Sequence, residues 1–410
     1  MRPDAAQAPA TAAASPAGER IALLDVVRGM ALLGILVMNM PAFTDAGVHA
    51  GGGATHRAAE VVRDMLFAGK FNSIFSLLFG LGFTLQLARL EARWPQAATA
   101  VYLRRLGWLF ALGLVHAVFF FSGDVLHIYA MFGLGLLWLR RWPDRALVVL
   151  MAACLVAPAL SQLLRALMAV PGAGGATLAT AAAGGNWTPQ ELHAFGHGSF
   201  GEATRAAMNA FVTMYTDPHE LRQHLGFYAQ ILTTMVLGLL IGRHRFLQRL
   251  PELMPRIVVI QRTSLVLGLA CTIVYGLGHD VTDSAAASPM RALVGSCYVL
   301  ARLALMSFYV LTIVRAMQQP RWQRRLAPFG AAGRMPLTNY LLQTALCSLL
   351  FYGYGFGLWN RVGALGELLL APLLFFGIQL PLSLWWLARF EQGPFEWLWR
   401  RLTYGRRPPH

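Results

Sequence analysis

The chain has 410 residues, 56% of them hydrophobic and 13% charged, against roughly 25% charged residues in soluble domains. That balance excludes a disordered chain, a collagen, a coiled coil and a disulfide-stapled scaffold. The formal net charge of +15 does not mark a nucleic-acid binder, because the basic residues sit in short segments at the ends of apolar runs and are not gathered on one face.

Residues 1–19 are Ala- and Pro-rich and read as a disordered tail. Ten apolar runs follow, at about 21–41, 66–88, 101–121, 124–139, 146–168, 226–242, 257–278, 291–316, 335–356 and 365–388. Crossing the hydrocarbon core takes about 20 helical residues. The runs therefore predict an all-α, polytopic integral membrane helical bundle. It has about ten transmembrane helices in one domain over 20–405, and a short tail at 406–410. The first run is too long for a signal h-region and carries Asp25 and Arg28 near its start, so it reads as an uncleaved helix.

Charge placement gives an independent orientation. The connection at 89–105 holds Arg89, Arg93, Arg104 and Arg105 against Glu91, and that at 315–334 holds Arg315, Arg321, Arg324, Arg325 and Arg334 with no acid. The connections near 140–145 and 243–256 and the C-terminal tail are also Arg-rich, whereas those near 121–124 and 279–290 carry only acids. Cytoplasmic loops are enriched in Lys and Arg. Both termini are thus expected in the cytoplasm of a bacterial inner (plasma) membrane, with the bilayer as the principal partner and no nucleic acid. The long outer segment 169–225 carries His193, His197, His219 and His224 without compact ligand spacing, so no metal is expected. It reads as a partly ordered surface loop or as a lid over an outward-facing cavity. The four cysteines, all within apolar runs and without a CxxC pair, read as small buried hydrophobes.

Polar residues inside the runs are the informative ones, since a charge at the bilayer centre costs about 2.5–3.5 kcal/mol on insertion scales. Asp25 and Arg28 share a helical face at the cytoplasmic end of the first helix, and Asn39 lies three turns further along it. They read either as an ion pair with a helix–helix hydrogen bond or as a stripe lining a cavity. Lys70, the one lysine among 34 basic residues, opens the second helix on the outer side. It is either a snorkelling anchor or a functional amine. Asp124 and His127, three apart, have the spacing of a carboxylate that orients a general base, or of a helix cap. His116 has no partner near in sequence and reads first as a core histidine. Arg334 at the inner membrane edge suits a phosphate or headgroup, and Asn339 and Gln343 put a polar face into the bundle. Gly80 and Gly82 read as close helix packing. No phosphate-loop, GxSxG or HExxH motif is present, and the halves 1–200 and 201–410 show no convincing repeat.

Five stretches together resemble the YeiB-like family of bacterial inner-membrane proteins (DUF418). They are Arg20 to Gly29 with Asn39, Gly69-Lys70-Phe71 through Phe83, Gly123-Asp124 to Ala130 with His127, Gly333-Arg334 through Gln343, and Arg389 to Gly405 with Gly393-Pro394-Phe395-Glu396. The opening Leu24-Asp25-Val26-Val27-Arg28-Gly29 is also similar to that of transmembrane acyltransferases such as heparan-alpha-glucosaminide N-acetyltransferase. The resemblance implies a helical bundle with a route for an acyl group. Acyl-CoA is then the donor substrate and an extracytoplasmic hydroxyl or amine the acceptor, with no resident cofactor firmly implied. On that reading His56, placed near the family's transfer histidine, or His127 with Asp124, is the base, and Lys70 steadies developing oxyanion charge. Arg28 and Arg334 receive the phosphates, and Asp25, Asn39, His116, Asn339 and Gln343 line the cavity. The alternative is a transporter or exporter of a small metabolite or lipid.

Overall fold

The computed structural model describes residues 17–44, 53–167, 188–278 and 288–405, and among them there are helices and connections but no strand. Helices occupy all ten apolar runs. Eight segments are long and apolar enough to cross a membrane. The runs at 124–139 and 335–356 form shorter helices, α6 (Leu126–Leu139) and α14 (Pro336–Phe351). The other helices on predicted runs are α1 (Ala17–Asn39), α4 (Lys70–Arg93), α5 (Ala98–Phe119), α7 (Asp144–Leu167), α10 (Pro218–Arg243), α11 (Leu250–Leu277) and α12 (Pro289–Ala316). The last run is α15 (Ala364–Leu374), joined through a π-turn at Phe375–Gln379 to α16 (Leu380–Leu387).

The connections supply further helices. A short α2 (Pro41–Thr44) ends the first span, and α3 (Ala54–Leu66) leads into α4. In the segment 169–225, residues 168–187 lie outside the described part. The rest folds as α8 (Pro189–Gly196) and α9 (Phe200–Thr216), each opened by a reciprocal capping box, Thr188 with Glu191 and Ser199 with Glu202. The Arg-rich connection 315–334 is α13 (Pro320–Arg334), and α17 (Pro394–Tyr404) closes the chain. Proline at the first turn of α8, α10, α12, α13, α14 and α17 marks those starts, where its missing N–H costs nothing.

Among the described residues, three large buried apolar clusters and a small one at Tyr275, Val294 and Tyr298 hold the bundle. One joins α1, α14 and α15 to α8 through Leu36, Phe351, Phe375 and Phe195. A second joins α4, α5, α6 and α10 through Phe83, Tyr102, Leu136 and Met235. A third joins α1, α4 and α12 through Val27, Ile74 and Met306. Val149, Val266 and Leu369 point outward, at 67%, 69% and 64% exposure. A belt of exposed large hydrophobes of this kind belongs against lipid.

Small residues set the closest approaches. A methyl group at Gly29 would lie 1.9 Å from the Phe329 carbonyl oxygen, and one at Gly333 would lie 1.8 Å from that of Asp25, so α1 and α13 meet backbone to backbone. Gly80 does the same against the Met235 carbonyl at 1.9 Å, whereas nothing lies within 4 Å of such a group at Gly82. The expectation of close packing therefore holds for Gly80 and not for Gly82, which sits on the wide side of α4. Gly80→Ala is expected to destabilise the bundle by about 1–3 kcal/mol through overpacking. Gly82→Ala is expected to leave it unchanged or more stable by up to about 1 kcal/mol, from helix propensity. Thermal unfolding of the two variants in mild detergent tests the contrast.

Candidate functional site

The sequence-predicted residues assemble into separate polar centres. The best built is at the α5–α6 hairpin. Asp124 lies in its turn, 1% exposed, with His116 at the end of α5 and His127 at the start of α6, 3% and 2% exposed. The carboxylate accepts from four donors: His116 Nδ1 at 2.9 Å, His127 Nδ1 at 2.9 Å, and the backbone N–H groups of Leu126 at 2.8 Å and His127 at 3.2 Å. Asp124 is thus both the cap of α6 and the orienting group of two imidazoles. The partner that His116 lacked in sequence is Asp124, eight residues on, brought back by the tight turn. Gly113 makes room for this return, since a methyl group there would lie 2.4 Å from the His127 nitrogen.

Because each Nδ1 donates to the carboxylate, each neutral ring presents Nε2 as an acceptor. His116 Nε2 meets the Thr344 hydroxyl of α14 at 3.0 Å, and His127 Nε2 meets the Tyr215 hydroxyl of α9 at 2.6 Å. The centre therefore reads hydroxyl, imidazole, carboxylate, imidazole, hydroxyl. Aromatic rings close it: Tyr340 and Phe121 lie 5.3 Å and 6.2 Å from His116, and Phe211 lies 5.4 Å from His127. The helices α8 and α9 lie over this end of the bundle, as Phe200 against Phe120 and the Thr204 hydroxyl on the Phe119 carbonyl show.

His56 belongs to another centre. It accepts from the Ala364 N–H at 3.2 Å and stands 3.5 Å from Glu60. Beside it the buried Glu367, 1% exposed, pairs with Arg63 at 3.1 Å and accepts from the Thr44 hydroxyl. This centre and the two-histidine centre stand on either side of the stacked Phe43 and Phe121 rings, 4.8 Å apart. Lys70 joins neither. It is 2% exposed and donates to the Asp64 backbone oxygen at 2.8 Å, with Arg302 close by. Lys70 and Asp124 form no ion pair among the described residues, because Asp124 is taken up by its own four donors.

The residues expected at the cytoplasmic edge do converge. Arg28 pairs with Asp25 at 2.8 Å and donates to the Gly333 carbonyl at 3.0 Å. Arg334 is exposed, acts on the same carboxylate, and donates to the Glu391 carbonyl at 3.0 Å. Arg105, stacked on Trp399 at 3.7 Å, lies close to Arg28. Glu396 of α17 accepts from the Leu337 and Thr338 N–H groups at 2.6 and 3.0 Å and so caps α14.

Asn339 and Gln343 are internal struts. Asn339 Nδ2 donates to the Met335 carbonyl at 3.1 Å and to the Ser383 hydroxyl at 2.9 Å, and its carbonyl accepts from Gln379 at 3.0 Å. Gln343 donates to the Leu32 carbonyl at 3.0 Å and to Gln379 at 3.2 Å. Asn39 is half-buried at the outer end of α1, three turns from the Arg28 centre, and makes no side-chain hydrogen bond among the described residues. The stripe expected from Asp25 to Asn39 is therefore not one site.

With this geometry in hand, comparison with known proteins becomes specific. Residues 241–406 match the family model described as a protein of unknown function, DUF418. The chain is 29% identical to the uncharacterized protein YxaH of Bacillus subtilis (strain 168), covering 94% of each chain. It is also 29% identical to the uncharacterized protein YeiB of Escherichia coli (strain K12), covering 94% of this chain and 96% of that one. An uncharacterized 39.9 kDa protein from the amylase 3' region of Bacillus acidopullulyticus is 27% identical over 95% and 96%. The chain is thus similar to YeiB-like proteins along nearly its whole length, and its C-terminal part carries the DUF418 match. No solved structure matches it.

Several participants escaped sequence reasoning. Tyr215 and Thr344 carry no local signal, since only the tertiary fold brings them to the histidines. Glu367 and Arg302 do carry one, as lone charges within apolar runs, which is the rule that singled out Lys70. Removing Asp124 would leave four donors unpaired. Asp124→Ala is therefore expected to cost about 3 kcal/mol or more, at about 1.5–3 kcal/mol per hydrogen bond to a charged group. Asn39→Ala is expected to be neutral, and thermal unfolding of the two variants in one detergent checks the difference.

Proposed function

We propose that this YeiB-like protein is a membrane-bound acyltransferase of the bacterial inner membrane with both termini in the cytoplasm. The observation that carries the reading is the buried carboxylate that orients two imidazoles through Nδ1 and leaves each Nε2 facing a hydroxyl. This is the arrangement of a general base with its orienting group.

In this reading an acceptor hydroxyl or amine takes the place of the Tyr215 hydroxyl at His127 Nε2. His127 removes its proton as the acceptor oxygen or nitrogen attacks the thioester carbonyl of acyl-CoA. The carbon–sulfur bond breaks, and the imidazolium returns the proton to the departing thiolate. Asp124 keeps its charge throughout and steadies the imidazolium. Arg28 and Arg334, with Arg105 behind them, receive the anionic donor at the cytoplasmic edge. From Pro336 to Thr344 the helix rises about 12 Å at 1.5 Å per residue, a span that an extended pantetheine arm covers. Of the two candidate bases, His127 is favoured over His56, whose Nδ1 is already taken by the Ala364 N–H and whose Nε2 faces the Glu60 carboxylate at 3.5 Å.

A second reading, passage of a small metabolite or lipid, draws support from the interruption between α3 and α4. Flux of a substrate through proteoliposomes lacking any acyl donor would favour it over the enzyme.

The acyltransferase reading expects acyl-CoA to bind the purified protein. Arg334→Ala is expected to weaken that binding about tenfold, or about 1.4 kcal/mol. His127→Gln is expected to leave binding intact and lower the transfer rate 10²–10⁴-fold, the usual contribution of a positioned base, roughly. Calorimetry that finds no acyl-CoA binding to the folded protein sinks the reading.

A further inference from the structure

The sequence places Lys70 at the outer membrane edge, but the packing places it far deeper. Gly69 accepts from Gln230 at 3.2 Å, and Gln230 stands 12 residues after the start of α10 at Pro218 and 13 before its end at Arg243. Arg302, whose guanidinium lies against Gly69, stands 13 residues after the start of α12 and 14 before its end. Two helices thus independently put the break between α3 and α4 near mid-bundle. The reason is that α3, read from sequence as an outer connection, extends the span beyond α4. The 40 residues Ala54–Arg93 form one apolar segment broken at Phe67–Gly69. Gly69 takes φ +70°, which lets the chain turn there into the N-terminus of the 24-residue α4.

That N-terminus carries the positive end of the helix dipole, and two buried cations stand beside it. Lys70 and Arg302 are 2% and 5% exposed. Neither forms a salt bridge among the described residues. The nearby Asp64 carboxylate is taken by Arg63 at 3.1 Å, and Arg63 also holds Glu367. The Arg302 guanidinium makes a cation–π contact with Tyr298 at 4.9 Å, and its buried Nε has no hydrogen-bond partner among the described residues. The Gln230 side chain reaches Gly69 and Ser73 through its amide nitrogen, while its oxygen is buried without a partner. A methyl group at Gly69 would lie 1.8 Å from Arg302 Nε, so the unpartnered nitrogen is aimed at the first turn of α4. Two like charges removed from water beside a helix N-terminus are strongly unfavourable unless a counter-charge is supplied.

We propose that the α3–α4 break is a binding site for an anionic phosphate group, held by Lys70, Arg302 and the first N–H groups of α4. A phosphate supplies the counter-charge that Asp64, shared with Arg63, does not fully give the two cations, and discontinuous helices near the membrane midplane use their N-termini for such ligands. The ligand comes from a soluble phosphorylated molecule or from an acidic lipid headgroup. Asp64, 25% exposed, puts the site one residue from the bundle surface. The site is distinct from the arginines at the cytoplasmic edge and does not rest on acyl transfer.

The test is thermal unfolding of the full-length protein in neutral detergent, titrated with inorganic phosphate against chloride at matched ionic strength. In parallel, nanodiscs of phosphatidylcholine are compared with and without phosphatidylglycerol. A saturable rise in Tm with phosphate is expected if the ligand is soluble, and a rise with phosphatidylglycerol alone if it is a headgroup. In either case Lys70→Gln and Arg302→Gln weaken the apparent affinity at least tenfold, and Arg249→Gln, at an exposed arginine outside every polar centre described, leaves it unchanged. Arg302→Lys, which keeps the charge and loses the fork, replaces Arg302→Gln if that variant does not fold, with the same expected direction. No rise with either probe in the folded wild-type protein overturns the site, as does a rise that the Lys70 and Arg302 variants retain or that Arg249→Gln abolishes.

Discussion

Inside a helical membrane bundle no bulk water is at hand to satisfy a polar atom, so each must find its partner in the protein or in a ligand. Asp124 meets this constraint in full. It is 1% exposed, and so deeply buried a carboxylate is tolerated because two backbone N–H groups and two imidazoles converge on it. The cost of burial becomes orientation. Both rings are fixed by the same group that the turn needs for its cap, so folding the α5–α6 hairpin and orienting a pair of imidazoles are one event. Tyr215 and Thr344 are then drawn in from α9 and α14, which ties two distant parts of the chain to the same hairpin.

Much of the bundle was legible in the sequence because hydrophobic run length answers directly to membrane thickness. The ten runs all became helices, and the Asp124–His127 pair could be read because three residues along a helix start share a face. Depth was harder to read. Lys70 looked interfacial because α4 begins there, yet α3 continues the span outward, and an amphipathic 13-residue helix carries no hydropathy signal of its own. His116 looked solitary because its partner lies across a turn. Asn39 shares a face with Arg28 but sits too far along α1 for one site to reach both. A shared helical face predicts proximity within a turn or two and says little over three.

The small residues explain why the polar centres stay apart. Where α1 meets α13 at Gly29 and Gly333, and α4 meets α10 at Gly80 and Gly238, the backbones approach so closely that nothing fits between them. The Arg28 centre lies beside the first of these contacts, and the α3–α4 break lies at the outer end of the second. Each centre is thus walled by a contact that tolerates no side chain. The bundle is in this sense a set of compartments, and α14 is the element that links the inner one to the outer, with its N-terminus capped by Glu396 and Thr344 at His116.

Degree of satisfaction separates the roles of these polar groups better than polarity does. Asn339 has its amide donors and its backbone carbonyl engaged, and it acts as a brace between α14 and α16. Gln343 is braced through its nitrogen alone, with its oxygen buried and unpartnered. Arg302 is the extreme case, a permanent charge with an aromatic face on one side and no hydrogen bond on the other. A brace gains nothing from a group that is left unpaired, since an unmade hydrogen bond in a desolvated site costs the full penalty of burial. A binding group gains from it, because the energy withheld in the free protein is released when the ligand arrives. By that criterion Asn339 is scaffold, and the unsatisfied atoms around Gly69 are where a further partner has to be sought.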